Sequence, residues 1–186
     1  NLRRAVRMSQ EQIVMVLKEE IGKPALEAWS DEVGILLTFI DYWIENAESI
    51  LIQRILLRNF TEMAMLPFRR KVIKREALGS GIVNVISPWN NPVQLALTDA
   101  VEVLVSGNVP ILKPSEKVPK VGALLREIIK IAELEDVFFF VEGGPDVGSR
   151  LIATLPPGSH VAFTGSSGVG RKVRELCRNL GLYTHI

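Results

Sequence analysis

Polar side chains that could do chemistry stand directly after two apolar runs of the sequence. Residues 87–92 (SPWNNP) follow one β-branched run, and residues 113–116 (KPSE) follow another. Between them, apolar residues recur at helical spacing, and Gly107-Asn108 is suited to a left-handed helix cap. Strand, loop, helix and strand in this order predict a βαβ unit of a parallel sheet. Open α/β sheets bind ligands where their strands end, so both polar segments are candidates for a binding site.

A glycine-rich turn at residues 165–170 (GSSGVG) stands between a further apolar run and an amphipathic stretch. Backbone N–H groups at the start of a helix can bind a phosphate group. A P-loop would continue with Lys and then Ser or Thr, but this turn continues with Arg171 and Lys172. The dinucleotide fingerprint also fails, because Val173 stands where its third glycine or alanine belongs. A P-loop nucleotide hydrolase is therefore disfavoured, while phosphate binding at this turn stays open.

Taken together, these segments resemble the aldehyde dehydrogenase superfamily. A PWN loop, a KPSE-type segment and an FTGS…G turn occur there in the same order, and this chain has the last as residues 163–170 (FTGSSGVG). Residues 143–148 (GGPDVG) are similar to the GxGPxxG turn of that family. Residues 22–33 resemble its GKP…EA…EV segment, which belongs to a helical pair packed against the cofactor domain. The similarity runs through all 186 residues, which would cover only the first part of a typical member.

The resemblance implies the N-terminal portion of an enzyme that oxidises an aldehyde to a carboxylic acid with NAD. NADP stays open, since Glu116 would disfavour a 2′-phosphate by charge while Lys113 and Ser115 could tolerate one. CoA-acylating variants of the family stay open as well. The implied partners are a small-molecule aldehyde in the intact enzyme and further copies of the chain, because strands near residues 68–78 help build an oligomerisation extension in that family.

The resemblance also implies roles for individual residues. In that family, an asparagine at the position of Asn90 donates a hydrogen bond to an oxyanion as a tetrahedral thiohemiacetal forms. By its sequence context alone, Asn90 is more often a turn residue or a helix cap, and residues 113–116 a solvated turn. The implied cofactor-binding residues are Ile86, Ser87, Pro88, Trp89, Lys113, Ser115, Glu116, Gly144, Gly148, Phe163, Thr164, Gly165, Ser166, Val169 and Gly170.

Two residues that complete the reaction in that family, a cysteine nucleophile and a general-base glutamate, are not identified in the sequence. Cys177 is the single cysteine, and its neighbours Val173 and Leu180 predict a small core residue. The glutamate position falls on Ile186 when residues 178–181 are aligned without gaps. We expect the nucleophile beyond Ile186 and the isolated chain to be inactive. The alternative is a non-catalytic nucleotide-binding or oligomer-interaction module derived from the same family.

Composition and charge exclude several other classes of protein. Apolar residues make up 47% of the chain, which argues against disorder. The net charge of +1 gives no electrostatic reason to expect nucleic acid or an anionic membrane as a partner. Polar residues interrupt the most apolar region, 33–57, so no membrane span is expected, and neither His160 nor His185 has metal-ligand spacing. One cysteine and no signal peptide indicate a soluble, cytoplasmic protein, although the initial Asn1 leaves open a lost targeting segment.

The pattern of elements predicts an α/β fold, with a Rossmann-like parallel sheet, helices on both faces and a preceding N-terminal helical segment. We expect one partial domain over residues 1–186, with a helical portion at 1–66 and a nucleotide-binding portion at 80–186. Pro110 stands in a predicted central strand, where it should cost one ladder hydrogen bond. The predicted strands are residues 82–86, 109–112, 137–141, 160–163 and 182–186, and the predicted helices are 92–106, 119–133, 146–154 and 168–179.

The N-terminal portion is predicted to contain two helices, residues 2–21 and 25–50, separated by Gly22 and Pro24. A connector is expected at 59–67, followed by an exposed edge strand at 68–78 whose basic side chains are solvated. The side chains of the second helix expected to face the core are Trp29, Val33, Leu36, Leu37, Ile40 and either Trp43 or Ile44.

Overall fold

The N-terminal part of the chain is largely helical. The computed structural model describes residues 1–52, 54–56, 71–73 and 81–186. Helices α1 (Leu2–Met8) and α2 (Gln10–Ile21) come first. A continuous helical stretch follows, made of α3 (Ala25–Glu27), a π-helical segment (Ala28–Gly34) and α4 (Ile35–Leu51). Strand β1 (Arg54–Leu56) then pairs antiparallel with β2 (Lys71–Ile73) in a separate two-stranded sheet.

Strands and helices alternate from residue 82 onward. In chain order these elements are β3 (Ile82–Ile86), α5 (Pro92–Val105), β4 (Val109–Lys113), α6 (Pro119–Ile131), β5 (Phe139–Phe140), α7 (Pro145–Ala153), β6 (His160–Phe163), α8 (Ser167–Leu180) and β7 (Tyr183–His185). The five strands are parallel and lie in the order β5, β4, β3, β6, β7, so the direction of winding reverses at β3. Ligands of open α/β sheets bind at such a switch point, in the crevice at the carboxyl ends of the strands.

Apolar side chains cover both faces of this sheet, which is why its inner strands read as continuous apolar runs. On one face, Val83 and Val85 of β3 belong to a core shared with α5, α6 and the N-terminal helices. On the other face, Val161 and Phe163 of β6 pack with residues of α7 and α8. Leu97 is fully buried, and burying a side chain of this size contributes about 1.5–3 kcal/mol. The predicted fold class is confirmed.

Pro110 lies buried in β4 without the ladder bond cost that its position predicted. The N–H of Val109 donates to the carbonyl of Gly81, 2.8 Å away, so Val109 turns its backbone toward β3. Because alternate residues of a strand turn their N–H groups to opposite sides, Pro110 faces away from β3. On that side, pairing with β5 begins only at the next residue, where Ile111 is opposite Phe139. Pro110 therefore stands where β5 offers no carbonyl that needs its missing N–H. The prediction that it costs a ladder hydrogen bond was wrong.

The first predicted helix is divided in two. Ser9 is buried, ends α1 and precedes α2, with backbone angles that differ from those of either helix. Its N–H donates to the carbonyl of Ala5, and its carbonyl accepts from the N–H of Ile13. The change of direction at this residue allows α1 to pack against α4 and α6. A periodicity that continues across a one-residue break does not reveal the break.

Core positions in the second helical stretch are partly corrected by the structure. Trp29 is 47% exposed and Ile44 is 67% exposed, whereas Trp43 packs against the core. The π-helical segment explains Trp29, because its i→i+5 hydrogen bonds change the number of residues per turn and the 3.6-residue period no longer identifies the buried face. The side chains that lie in or against the core as predicted are Val33, Leu36, Leu37 and Ile40.

The outer strands are shorter than predicted. β5 contains two residues and β7 three, and each has a single neighbouring strand among the described residues. β2 lies inside the predicted edge strand 68–78, while the remainder of that strand and the connector at 59–67 lie outside the described residues. β1 lies inside the portion expected to be helical, and the division of the chain into two portions stays a prediction. In the described part of the chain, no helix is both long and apolar enough to cross a membrane.

Candidate functional site

A cleft of about 750 Å³ opens at the carboxyl ends of β3, β4 and β6. Its volume is in the range of small-molecule and cofactor sites. The structure brings together most of the residues singled out in the sequence. Those that line the cleft are Ile86, Ser87, Pro88, Trp89, Asn90, Lys113, Ser115, Glu116, Gly148, Phe163, Thr164, Gly165, Ser166 and Val169. Gly144 and Gly170 do not line it.

Backbone hydrogen bonds tie the three strand ends together at the base of the cleft. The N–H of Ser87 donates to the carbonyl of Lys113 over 3.2 Å, and the N–H of Thr164 donates to the carbonyl of Ile86 over 3.0 Å. These bonds fix where the loop after β3 begins. The Ser87 hydroxyl is buried and has no hydrogen-bond partner among the described residues. A buried hydroxyl without a partner fits a site that a polar ligand group completes.

Lys113 holds a nearly fully buried ammonium group with weak partners. Its Nζ lies 3.4 Å from the carbonyl oxygen of Pro114 and 3.7 Å from Oε2 of Glu116. An added Cβ at Gly148 of α7 would lie 3.5 Å from the Cδ and Cε atoms of Lys113, so the lysine stem packs over this glycine. An ammonium group has three donors. The spare donors, next to a half-exposed carboxylate, form an arrangement suited to ribose hydroxyls.

The glycine-rich turn combines ligand-facing and packing positions. An added Cβ at Gly165 would lie 2.6 Å from Cζ of Phe163, so a side chain there would displace the ring. Gly170 is buried, and its added Cβ would lie 2.9 Å from Cγ2 of Ile186. Gly170 therefore allows α8 to approach the end of β7. Ser166 is the N-cap of α8 and makes no side-chain cap hydrogen bond. Ser166 and Val169 line the cleft, so the N-terminus of α8, the positive end of its dipole, lies at this wall.

The turn before α7 contains the second glycine pair. Gly143 has a φ of +140°, and its added Cβ would lie 2.5 Å from Cγ2 of Val147. Only glycine fits this backbone at that distance. Gly144 is the N-cap of α7 and lies outside the cleft, whereas Gly148, one turn into the helix, lines it. The sequence-based role of Gly144 in cofactor binding stays a prediction.

Two cleft lysines were missed in the sequence. Lys117 Nζ lies 5.6 Å from the ring centroid of Trp89, a cation–π contact that joins the loops after β3 and β4. Lys172 of α8 also lines the cleft. With Lys113, the cleft lining has three positively charged lysines and one negatively charged residue, Glu116. Its net positive charge suits a phosphorylated ligand. Lys117 directly follows the segment 113–116, and Lys172 stands two residues after the glycine-rich turn 165–170. This closeness to the two motifs could have identified both lysines as cleft residues.

Burial raises the pKa of two ionisable groups that do not line the cleft, Asp99 and Cys177. Asp99 of α5 is half-buried, and burial, with the nearby Glu102 carboxylate, raises its pKa to about 6. Its surroundings include Thr164, a cleft residue, and His185. No local sequence pattern indicated this environment. Cys177 is 1% exposed and burial raises the pKa of its thiol, which confirms the predicted core residue and disfavours a thiolate nucleophile.

Comparison with known proteins agrees with this geometry. The sequence profile of the aldehyde dehydrogenase family matches residues 1–183. The chain is 32% identical over 173 residues to 4,4'-diapolycopene-4,4'-dial dehydrogenase of Cytobacillus firmus, covering 89% of this chain and 35% of that protein. It is 31% identical over 181 residues to 4,4'-diaponeurosporen-aldehyde dehydrogenase of Staphylococcus aureus, covering 94% of this chain and 36% of that protein.

The fold is also similar to that of a solved structure. The substrate-bound AldH of Staphylococcus aureus matches with a TM-score of 0.84 at 25% sequence identity, covering 98% of this chain and 38% of that chain. The chain thus spans about a third of the length of the curated relatives that it matches. Since the family profile covers nearly the whole chain and the fold agrees, this chain belongs to the aldehyde dehydrogenase family.

Proposed function

We propose that this chain is the cofactor-binding N-terminal portion of an NAD-dependent aldehyde dehydrogenase, and that its cleft binds NAD. The intact enzyme would oxidise an aldehyde to a carboxylic acid. One observation carries the proposal. The loops after three adjacent parallel strands form a single cleft around Lys113, a buried lysine whose ammonium group has only long polar contacts, to Pro114 and Glu116, among the described residues.

The ribose end of the cofactor fits the loop after β4. The Lys113 ammonium would donate hydrogen bonds to ribose hydroxyls, and the Glu116 carboxylate would accept hydrogen bonds from them. Ser115 lies between the two residues and also lines the cleft. These contacts would replace the long ones that Lys113 makes to its own loop. The buried position of the lysine argues for a ligand, because a buried ammonium is costly unless its donors are used.

The phosphate groups fit the opposite wall. The N-terminus of α8 and the side chain of Lys172 would face them, and Ser166 leaves the first backbone N–H groups of that helix uncapped. Gly165 keeps this turn close to Phe163, so the backbone can approach a ligand without a side chain in between. The positive balance of the cleft supports binding of a dianionic pyrophosphate.

Asn90 would contribute to the chemical step. Bound NAD would accept a hydride from the substrate. The Asn90 side chain lies exposed at the edge of the cleft, where its amide could donate a hydrogen bond to a developing oxyanion. Cys177 is buried and cannot reach the cleft, so the described residues provide neither the nucleophile nor an assigned base. We therefore expect no turnover by the isolated chain.

The preference for NAD over NADP rests on Glu116. A 2′-phosphate placed beside its carboxylate would be repelled, although Lys113 and Ser115 would attract one. The family uses NAD or NADP. With the Glu116 carboxylate 3.7 Å from the Lys113 ammonium, the lysine charge is partly neutralised, which favours the cofactor without the additional phosphate.

Isothermal titration calorimetry of the purified chain with NAD and NADP tests this function. Lys113→Met keeps the stem that packs over Gly148 but removes the charge, and it should weaken NAD binding at least about tenfold. Glu116→Gln should weaken NAD binding and reduce the discrimination against NADP. Lys130→Ala, on the exposed last turn of α6, removes the same charge away from the cleft and should leave both affinities unchanged.

A non-catalytic oligomer-interaction module is the second candidate. It is favoured by the buried Cys177 and by β7, which has one neighbouring strand among the described residues and exposes Tyr183. An edge strand of this kind can pair with another chain. A folded wild-type chain that binds neither cofactor but forms a defined oligomer in light scattering would support this module and contradict the cofactor role.

A further inference from the structure

Glu32 is a fully buried carboxylate at the start of α5, although it belongs to the π-helical segment of the N-terminal part. Its Oε2 accepts the N–H groups of Val93 and Gln94 over 3.0 and 2.9 Å. Its Oε1 accepts a hydrogen bond from Nζ of Lys23 over 2.7 Å, and the lysine side chain is only 11% exposed. A buried carboxylate with three donors and an ion pair is a satisfied, tightly held group.

This carboxylate replaces a cap that the local sequence does not supply. Asn91 is the N-cap residue of α5 but makes no side-chain cap hydrogen bond. Its Oδ1 instead accepts from Nζ of Lys23 over 2.5 Å. Pro92 has no N–H, so the next two N–H groups of the helix are the ones that need partners, and Glu32 takes both. We call Lys23, Glu32 and Asn91 the N-terminal clamp.

The N-terminal clamp holds one end of a very short loop. Its other end is held at Ser87, whose N–H donates to the carbonyl of Lys113 over 3.2 Å. Only residues 88–90 lie between these two anchors, and all three line the cleft. With so few free dihedral angles, the positions of both anchors determine where the side chains of Trp89 and Asn90 point.

We propose that Lys23 and Glu32 are positioning residues of the cleft, which act through Asn91 to set the orientation of Trp89 and Asn90. This inference rests on the proposed function of the cleft. An oxyanion donor acts only at about 2.7–3.1 Å from the developing charge, so its support matters as much as its identity. The π-helical segment that carries Glu32 agrees with this role, since such segments occur frequently at functional sites.

The chain offers a matched control for a purely structural effect. Glu20 of α2 accepts the N–H groups of Lys120 and Val121 over 2.8 and 2.9 Å. It therefore caps α6 in the way that Glu32 caps α5, but it has no contact with Asn91. Glu20→Gln and Glu32→Gln remove the same charge and weaken the same kind of cap, and only the second variant should alter the loop before α5.

Nuclear magnetic resonance of the labelled 186-residue chain, together with calorimetry with NAD, tests the proposal. In Glu32→Gln, the amides of Val93 and Gln94 should exchange with solvent at least about tenfold faster. The indole N–H resonance of Trp89 should shift, and NAD binding should weaken about tenfold. Lys23→Arg should retain the wild-type resonance of Trp89, because it keeps a donor to both partners. Glu20→Gln should instead speed exchange at Lys120 and Val121, and it should leave exchange at Val93 and Gln94 as in the wild type.

Asn91→Ala keeps the test available should Glu32→Gln fail to fold, since Asn91 is only partly buried. It removes the link from Lys23 to the loop and leaves the Glu32 cap, so Trp89 should shift while exchange at Val93 stays slow. An unchanged Trp89 resonance in a folded Asn91→Ala or Glu32→Gln chain would overturn the proposal, as would unchanged NAD affinity in both. If the wild type binds neither NAD nor NADP, while Trp89 still shifts in these variants and exchange at Val93 speeds up in Glu32→Gln but not in Glu20→Gln, the clamp stands and the proposed cofactor role fails.

Discussion

Replacement of Asp99 by asparagine should stabilise the chain at neutral pH and reduce its pH dependence. The Asp99 carboxyl lies on α5, one helical turn beyond Leu95, which lines the cleft. Burial is the main reason that its pKa rises from 3.8 to about 6, and Glu102 acts in the same direction. His185 and a hydrogen bond with Thr164 act in the opposite direction without cancelling the effect of burial.

The sign of the effect follows from the two states. Below pH 3.8 both the folded and the unfolded chain hold this proton, so Asp99 contributes nothing to the pH dependence. As the pH rises to about 6, the unfolded chain releases the proton more readily, and stability falls until the folded carboxyl has also ionised. A rise of about two units corresponds to about 3 kcal/mol. Because Asp99 is only half-buried, solvent screening reduces the expected loss to about 1–2 kcal/mol.

Urea unfolding followed by circular dichroism between pH 4 and pH 8 measures this loss. The difference in unfolding free energy between Asp99→Asn and the wild type should grow from pH 4 to pH 7 and then remain constant. His160, whose pKa is lowered by burial, gives both chains a slope of opposite sign, which cancels in the difference. Asp136→Asn, at an exposed turn, makes the same charge change and should not reproduce the effect. An Asp99→Asn chain that is no more stable than the wild type at pH 7, or equally stabilised at pH 4, would refute the reasoning.

Two further predictions concern α8 and the turn before it. Gly165→Ala places a Cβ 2.6 Å from the Phe163 ring and should destabilise the chain by about 1–3 kcal/mol in urea unfolding. Gly168→Ala, whose added Cβ has no neighbour within 4 Å, should be neutral or slightly stabilising, and equal destabilisation by both would contradict the steric explanation. Cys177, buried and with a raised pKa, should react with a thiol reagent only in the unfolded chain. Rapid stoichiometric labelling of the native chain would show that the thiol is accessible.

The sheet could be predicted because the residues of each strand and of the loop after it are enough to identify that strand. The apolar run at β3 ends at a proline-containing polar loop, and the same holds at β4, so the pattern indicates both the strand and its carboxyl end. The helix between them repeats apolar residues on one face. Once two such strands are parallel, their polar loops must lie at one edge. The convergence of the loops around Asn90 and Lys113 then follows from topology alone.

Local periodicity failed where the backbone departed from its usual geometry. Trp29 was assigned to the core because the 3.6-residue period was continued through a π-helical segment, whose different hydrogen bonding turns the side chain outward. Pro110 was expected to cost a hydrogen bond because the sequence does not state on which side a neighbouring strand begins. In both cases the sequence pattern placed the residue in the right element. The direction of the Trp29 side chain and of the Pro110 backbone nitrogen depended on hydrogen bonds that a linear pattern does not contain.

Polar contacts between residues far apart in the sequence could not be predicted from local sequence patterns. Glu20 and Glu32 appear in the sequence as ordinary charged residues of amphipathic helices, yet they supply the caps of α6 and α5. Each of those two helices begins with a proline near its N-terminus and has an N-cap residue that makes no side-chain cap bond. The N-terminal helices therefore complete two helix starts of the α/β portion, directly behind the loops that line the cleft. A chain lacking the N-terminal helices would leave these helix ends unpaired, and we expect its cleft loops to lose their order even where the sheet still forms.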